Sequence, residues 1–329
     1  MAVREIEQTP SVAQRARALL LTQEGVLFII FIVAVALLST QSSSFLTVNN
    51  FLNQGRLATE VGLMALPMTF IIITGGIDLS VGSIFGLSAI ILGFSWQDMG
   101  LPLELAIVIC LLVGTLCGFI NGLGIVRLGV PPLIMTLATL ALYRGIALGI
   151  SQARSARGFP EWFFQLGQGS LLGLPMQLWV IIVFAIITAV ILARTSFGRS
   201  LYAIGNNELA SRFSGIPVDR YKLAIYTFSG FMAALAGYIF TSRVSTTRAD
   251  MGSGLELDVI AAVVLGGTSI FGGSGSILGT VIGLALIQLL KNGLLLSGVK
   301  GDATIIVIGV VLILAILINN MIQRRNGTA

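Results

Sequence analysis

The 329-residue sequence contains no histidine. Histidine proton relays, imidazole metal sites and Ser-His or Cys-His nucleophiles are therefore excluded. Cysteine is nearly absent as well. Cys110 and Cys117 sit seven residues apart in one apolar run. They are too few for a disulfide framework or a metal cluster and read as small buried hydrophobes. Charge is the third scarcity. Asp, Glu, Lys and Arg make up 10% of the chain, against roughly 25% in a soluble domain. Hydrophobic residues make up 56%, and the mean hydropathy is +0.98. Nineteen basic and 14 acidic side chains cannot cover a soluble body of this size, so most of the surface must face lipid. A soluble enzyme, a disordered chain and a fibrous repeat are ruled out. Proline is scarce at 8, whereas glycine is abundant at 39. Apolar, glycine-rich and proline-poor composition describes closely packed membrane helices.

The only lysines are Lys222, Lys291 and Lys300, and no G-x-x-x-x-G-K-[ST] sequence exists. The chain thus lacks the usual phosphate cradle for ATP, and no motif points to an enzyme. Two acids, Glu60 and Asp78, fall within or beside apolar runs. Arg56 precedes Glu60 by four residues, so the two are expected to pair on one helix face. Asp78 stands before a helix start and is expected to cap free N–H groups there, with a substrate or gating role as the sharper alternative. Two acids without histidine argue against a proton- or sodium-driven carrier.

A membrane-spanning helix needs about 20 mostly apolar residues. Ten apolar runs meet or approach that length, at 25–41, 57–74, 78–95, 102–125, 131–150, 176–193, 221–241, 257–271, 276–296 and 303–321. The expectation is an all-α polytopic membrane protein with about ten spans. The run at 257–271 is short and glycine-interrupted, so it reads as broken or re-entrant. With the N-terminus inside, the inner segments carry Arg4, Arg15, Arg17, Arg127, Arg194, Arg199, Arg212, Arg220, Lys222, Arg324 and Arg325. The outer ones carry Arg56, Arg154, Arg157, Arg243, Arg248 and Lys300. This excess places both termini in the cytoplasm. Arg144 and Lys291 are read as helix-end residues that snorkel. The organisation is a tail at 1–24, one transmembrane domain at 25–321 and a tail at 322–329.

One inner loop, 194–222, is polar enough to leave the membrane. Within it, Asn206 or Asn207 can cap a short helix, Glu208 suits its positive end, and Arg212 lies toward its other end. Gly215 supplies a left-handed stop and Pro217 prevents continuation. Such a short helix is unstable alone and needs something to hold it. Two glycine-rich breaks echo one another. GGIDLSVGSIFG (75–86) and GGSGSILG (272–279) share Gly-Ser-Ile-x-Gly, six spans apart and so in the same orientation. Gly75, Gly76, Asp78, Ser80, Gly82 and Ser83 in the first, and Gly272, Gly273, Gly275 and Ser276 in the second, are candidates for a pathway or gate. Glycines four apart at Gly114, Gly118 and Gly122, and at Gly275, Gly279 and Gly283, form packing stripes. These serve packing within one subunit or, as the sharper alternative, a dimer contact.

GGIDLSVGS (75–83), FGRSLYAIGNNELASRFSGIPV (197–218) and LGGTSIFGGSGSILGTVIG (265–283) resemble the ribose-type sugar ABC importer permeases. The likeness extends from FLTVNNFLNQ (45–54) to the last span. It implies a subunit of the bacterial inner membrane that works with a second permease copy or a related permease. It further implies a cytoplasmic ATPase with two nucleotide-binding domains and a periplasmic or lipid-anchored sugar-binding protein. ATP and Mg would then be bound by the partner, and no cofactor by this chain. The resemblance makes 194–222 the loop that docks into the ATPase, with Asn206, Asn207, Glu208, Ala210, Arg212 and Gly215 at its centre. Many importers place glycine six residues after the glutamate of Glu-Ala-Ala. Here Glu208-Leu209-Ala210 is followed by Gly215, one residue further. The implied cargo is a neutral sugar or sugar-like solute, and GGIDLSVGSIFGLSAIILG (75–93) looks nearest to the rhamnose and autoinducer-2 branch. Thr69, Thr74 and Asn121, with Ser80 and Ser83, are the polar positions available to line a pathway; helix-packing hydrogen bonds are the simpler reading of them. The alternatives are a branched-chain amino acid permease and a self-contained carrier or channel.

Overall fold

The computed structural model describes residues 23–40 and 45–298, together with positions 303, 306, 309, 310 and 313. Nine of the ten apolar runs fall on helices: α1 (Gln23–Ser39), α2 (Val48–Ile73), α3 (Val81–Gln97), α4 (Leu103–Arg127), α5 (Pro132–Ser151), and four more below. A 3-10 turn (Glu161–Phe164) and a one-turn helix α6 (Gln165–Gln168) follow. The hairpin β1 (Ser170–Leu171) and β2 (Leu174–Pro175) comes next, antiparallel with Ser170 opposite Pro175. It is the one departure from an all-α chain among the described residues. Then come α7 (Met176–Arg194), α8 (Ser196–Asn206), α9 (Glu208–Phe213), α10 (Val218–Val244), α11 (Leu255–Leu265) and α12 (Ile277–Leu296). The tenth run, 303–321, lies outside the described residues apart from isolated positions. So do residues 1–22 and 322–329, with Arg4, Arg15, Arg17, Arg324 and Arg325, and so does Lys300 of the outer segment.

Six helices are long and apolar enough to cross a membrane: α2, α4, α5, α7, α10 and α12. Their exposure separates two kinds. Helix α2 is buried all round from Thr59 to Ile73, with Leu63, Met64, Ala65 and Met68 fully enclosed. An evenly apolar helix of this kind belongs at the centre of a bundle. By contrast, α4, α5 and α7 leave large side chains such as Leu112, Leu137 and Ile186 exposed. In water that apolar face would aggregate; in a bilayer it is the lipid-facing surface.

Glycine decides the closest contact. The carbonyls of Gly114 and Tyr226, and the backbone of Gly118 and Gly230, occupy the space where side chains would stand at Gly230, Gly118 and Gly114. The α4 stripe is therefore filled by α10. Likewise Gly279 and Gly283 lie against Ala262 of α11 and against Gly266, which ends it. Both stripes are covered inside the chain, which overturns the dimer-contact alternative. The physical reason is that backbones at this separation gain dispersion contacts that a β-carbon would prevent.

Three sequence expectations are corrected by packing. Glu60 pairs with Arg243 of α10 at 2.8 Å, not with Arg56, whose Nε has no partner. Helix α2 turns Glu60 into the bundle, where only a cation from another helix can meet it. Lys291 does not snorkel but binds Asp258 at 2.6 Å. Arg144 lies inside α5, and its guanidinium donates to backbone carbonyls of another segment rather than reaching a helix end.

Candidate functional site

The polar loop folds as its residues direct. Asn207 is extended and its Oδ1 accepts from the Ala210 amide at 2.9 Å, so it is the cap, while Asn206 ends α8. Glu208 stands in the first turn of α9 and Arg212 in the last. Gly215 has φ +80° with open space around it, the left-handed stop before Pro217. The charges interlock. Glu208 accepts from Arg212 at 2.9 Å and from Lys222 at 2.6 Å, and Arg212 reaches Asp219 at 2.6 Å. Partial burial raises the Glu208 carboxyl, but the hydrogen bonds from Lys222 and Arg212 outweigh it and hold the group below its ordinary value of 4.5. Leu209 and Phe213 project from the same short helix with 64% and 85% of their surface exposed. A six-residue helix carrying two bare apolar side chains is built to be covered.

The end of α8 joins this helix to both glycine-rich breaks. The Gly273 amide donates to the Ile73 carbonyl at 2.9 Å, tying the second break to the end of α2. Gly205 lies between them. A β-carbon there would overlap the Ile73 oxygen and the Gly273 nitrogen. Gly272 faces the Ile73 and Gly205 carbonyls and the Gly75 nitrogen, and Gly273 stands against Asn206 Oδ1. The Tyr202 hydroxyl donates to the Gly275 carbonyl at 2.7 Å. The two echoed breaks therefore meet at one end of the bundle, with α8 wedged against both. Gly205, Tyr202 and Ile73 escaped the sequence reading. Gly205 carried a signal, a glycine one residue before the end of a helix.

Asp78 anchors the first break. Its Oδ1 accepts from the Ser80 amide at 3.0 Å and the Ser80 hydroxyl at 2.6 Å, and its Oδ2 from Ser229 of α10 at 2.9 Å. Asn121 of α4 donates to Ser80 Oγ at 2.7 Å, and Tyr143 of α5 donates to the Cys117 carbonyl. Asp78 thus bonds Ser80, the residue before α3, rather than the first-turn amides of α3, which carry no side-chain cap, and Ser229 ties it to α10. The remaining polar candidates are bonded within the chain. Thr69 meets Thr280 of α12 at 2.7 Å, Thr74 donates to the Ile71 carbonyl at 2.8 Å, and Ser83 to Ser80 at 2.8 Å. Ser276 caps α12 through the Gly279 amide, and Gly76 packs beside the Tyr226 hydroxyl. Gly75 is exposed, whereas Gly82 is buried against Gly252 and Glu256.

At the opposite end of α3 lies an open cavity of about 400 Å³. Gln97, Asp98, Gln152, Arg154, Ser155 and Thr247 supply its polar lining. No group of three or more potential metal-ligating side chains occurs among the described residues.

Comparison with known proteins gives these features a context. The ribose import permease protein RbsC of Bacillus subtilis is 42% identical over 295 residues, 89% of this chain and 91% of its own. The ribose import permease protein RbsC of Haemophilus influenzae is 39% identical over 302 residues, 91% and 93% respectively. The autoinducer 2 import system permease protein LsrD of Yersinia enterocolitica is 37% identical over 315 residues, 91% and 95%. No solved structure matches. The family model described as the branched-chain amino acid transport system / permease component matches residues 50–316. With its six membrane-capable helices, the chain is a multi-pass membrane protein and belongs to this permease family.

Proposed function

We propose that the chain is the membrane-spanning subunit of a binding-protein-dependent ABC importer for a neutral sugar or sugar-like solute. The observation that carries the reading is the α8–α9 loop. It presents a short, capped, charge-locked helix with bare Leu209 and Phe213, and it abuts two helix breaks. In this reading a cytoplasmic ATPase covers α9, and its closure pushes α8 against Ile73 and Gly273. The bundle end at α9 is then cytoplasmic, and the polar cavity beside Gln97 faces a periplasmic or lipid-anchored binding protein. A second permease copy or a related permease completes the pathway, in a bacterial inner membrane, and ATP and Mg reside on the partner.

Relatives named for ribose and autoinducer 2 support a sugar-like cargo over a branched-chain amino acid, although the family description names the latter. Ribose, rhamnose and autoinducer 2 are the solutes to test first. The experiment is uptake of each labelled solute, with leucine as comparison, into vesicles holding this chain with the ATPase and binding protein encoded beside it. ATP-dependent uptake of a sugar is expected only with all three. Ion-gradient-driven uptake by this chain alone would make it a carrier instead.

A further inference from the structure

The segment between α10 and α11 packs Thr247, Ala249 and Met251 inward and leaves Arg248, Asp250, Ser253 and Gly254 exposed on its other side. Thr247 lies against Gly93 of α3, the Met251 carbonyl against Gly86, and the Gly252 carbonyl against Gly82. It therefore runs along α3 from its Gln97 end toward its start, covering about 16 Å at 1.5 Å per helical residue. Gly82, Gly86 and Gly93 share one face of α3, and the groove they leave is what admits the segment. Helix α11 begins only after this descent, at Gly254 with φ +84°, and is 11 residues long. A run of turns over 249–254 leads directly into this short helix.

Carbonyls turned against α3 need donors, because α3 has spent its own amides within the helix. One side chain supplies them. Arg144 Nη1 donates to the Ala249 carbonyl at 2.8 Å and the Met251 carbonyl at 2.7 Å, and Nη2 reaches the Gly82 carbonyl at 3.3 Å. Among the described residues Arg144 has no carboxylate at ion-pair distance. Yet one stands close by. Glu256, in the first turn of α11, presses its Oε2 onto Gly82, the same residue Arg144 touches. That oxygen is buried without a partner, while Oε1 accepts from the Gly254 amide at 3.2 Å. A cation held only by carbonyls and a carboxylate oxygen held by nothing thus meet at one glycine.

We propose that Arg144 is a latch with two positions, and that it acts on the importer reading given above. On the Ala249 and Met251 carbonyls it clasps that segment to α3, as seen here. Turned to Glu256 it forms an ion pair and releases the segment, freeing the end of α11 that faces the Gln97 side. Arginine suits this because its guanidinium carries five donors in a planar fork: here Nη1 holds two carbonyls while Nη2 reaches a third, and the same fork matches a carboxylate, which a lysine ammonium does not.

Two substitutions separate the latch from a plain structural tie. Ala249→Cys reports the clasp. Ala249 is buried, and the native Cys110 and Cys117 are buried and provide the blank. In the purified full-length permease, a polar maleimide should label A249C slowly. Adding Arg144→Gln should speed labelling about tenfold, the factor that losing a buried hydrogen-bonded contact carries. Glu256→Gln, nearly isosteric, should leave labelling slow but cut the turnover of ATP-dependent [14C]ribose uptake by a similar factor, because the released position loses its partner. Arg144→Lys serves where Arg144→Gln fails to fold, with intermediate labelling expected. Unchanged labelling in the Arg144 variants, or wild-type turnover in Glu256→Gln, would overturn the latch. Absence of ribose uptake by the wild-type complex would count against ribose as the cargo, and the labelling result would still judge the clasp.

Discussion

The amide of Gly273 donates to the carbonyl of Ile73 across 2.9 Å, joining two glycine-rich breaks that lie two hundred residues apart in sequence. Gly205 fills the angle between them with nothing but a hydrogen. A push on α8 therefore reaches the end of α2 and the start of α12 at once.

Gly205→Ala follows from that geometry. The methyl group would displace the Ile73 carbonyl or the Gly273 amide, at a cost of about 1–3 kcal/mol for overpacking. Thermal unfolding of the purified permease should show a lower midpoint, and uptake should fall. Gly215→Ala meets no neighbours and carries only left-handed backbone strain of about 1 kcal/mol. Equal loss of uptake in both variants would remove the special position given to Gly205.

Asp78 holds three donors, two from Ser80 and one from Ser229. Asp78→Ala leaves all three unsatisfied inside the bundle and should destabilise by about 3 kcal/mol or more. Asp78→Asn keeps one acceptor oxygen and should cost less. Chemical or thermal denaturation ranks the pair; the reverse order would show that the carboxylate is not serving as an acceptor.

Glu60 and Arg243 form an ion pair with Glu60 buried. Arg243→Met should destabilise by about 3–5 kcal/mol, because an unpaired buried charge remains. Adding Glu60→Gln should restore much of that loss. A double-mutant cycle measures the coupling, and additive losses would contradict a direct pair. Arg56→Met should be nearly silent, since Arg56 is not the partner.

The charge cluster of α9 should weaken in acid. The folded Glu208 carboxyl titrates below its ordinary value of 4.5. Its contribution is thus complete above about that pH and disappears as the pH falls through the lower folded value. Both Glu208 and Arg212 are more than a third exposed, so the cluster contributes less than about 1 kcal/mol and weakens with salt. Amide exchange across 208–213 should stay slow from neutral pH to about 5, after correction for intrinsic rates, and rise below 4. Glu208→Gln should abolish that pH dependence.

The sequence by itself determined where most of the long helices lie, though not α6 or α8, and which side-chain chemistry is missing. Apolar runs mark α1–α5, α7 and α10–α12, and six of these are long and apolar enough to cross lipid, because a spanning helix requires local, contiguous apolar residues. A cap at Asn206 or Asn207, the stop at Gly215 and the break at Asp78 were equally legible, since each depends on neighbours within a few residues, and the structure chose Asn207. The facing of the helices was not. A helix apolar on all sides, such as α2, carries no stripe to say which side meets which neighbour. So the partner of Glu60, the filling of the Gly114–Gly118 stripe by α10, and the meeting of Ile73, Gly205 and Gly273 were decided only by tertiary packing. The same holds for Arg144. Its position in sequence suggests a helix end, but its guanidinium is held by carbonyls more than a hundred residues away, on backbone that had no other donor at that depth.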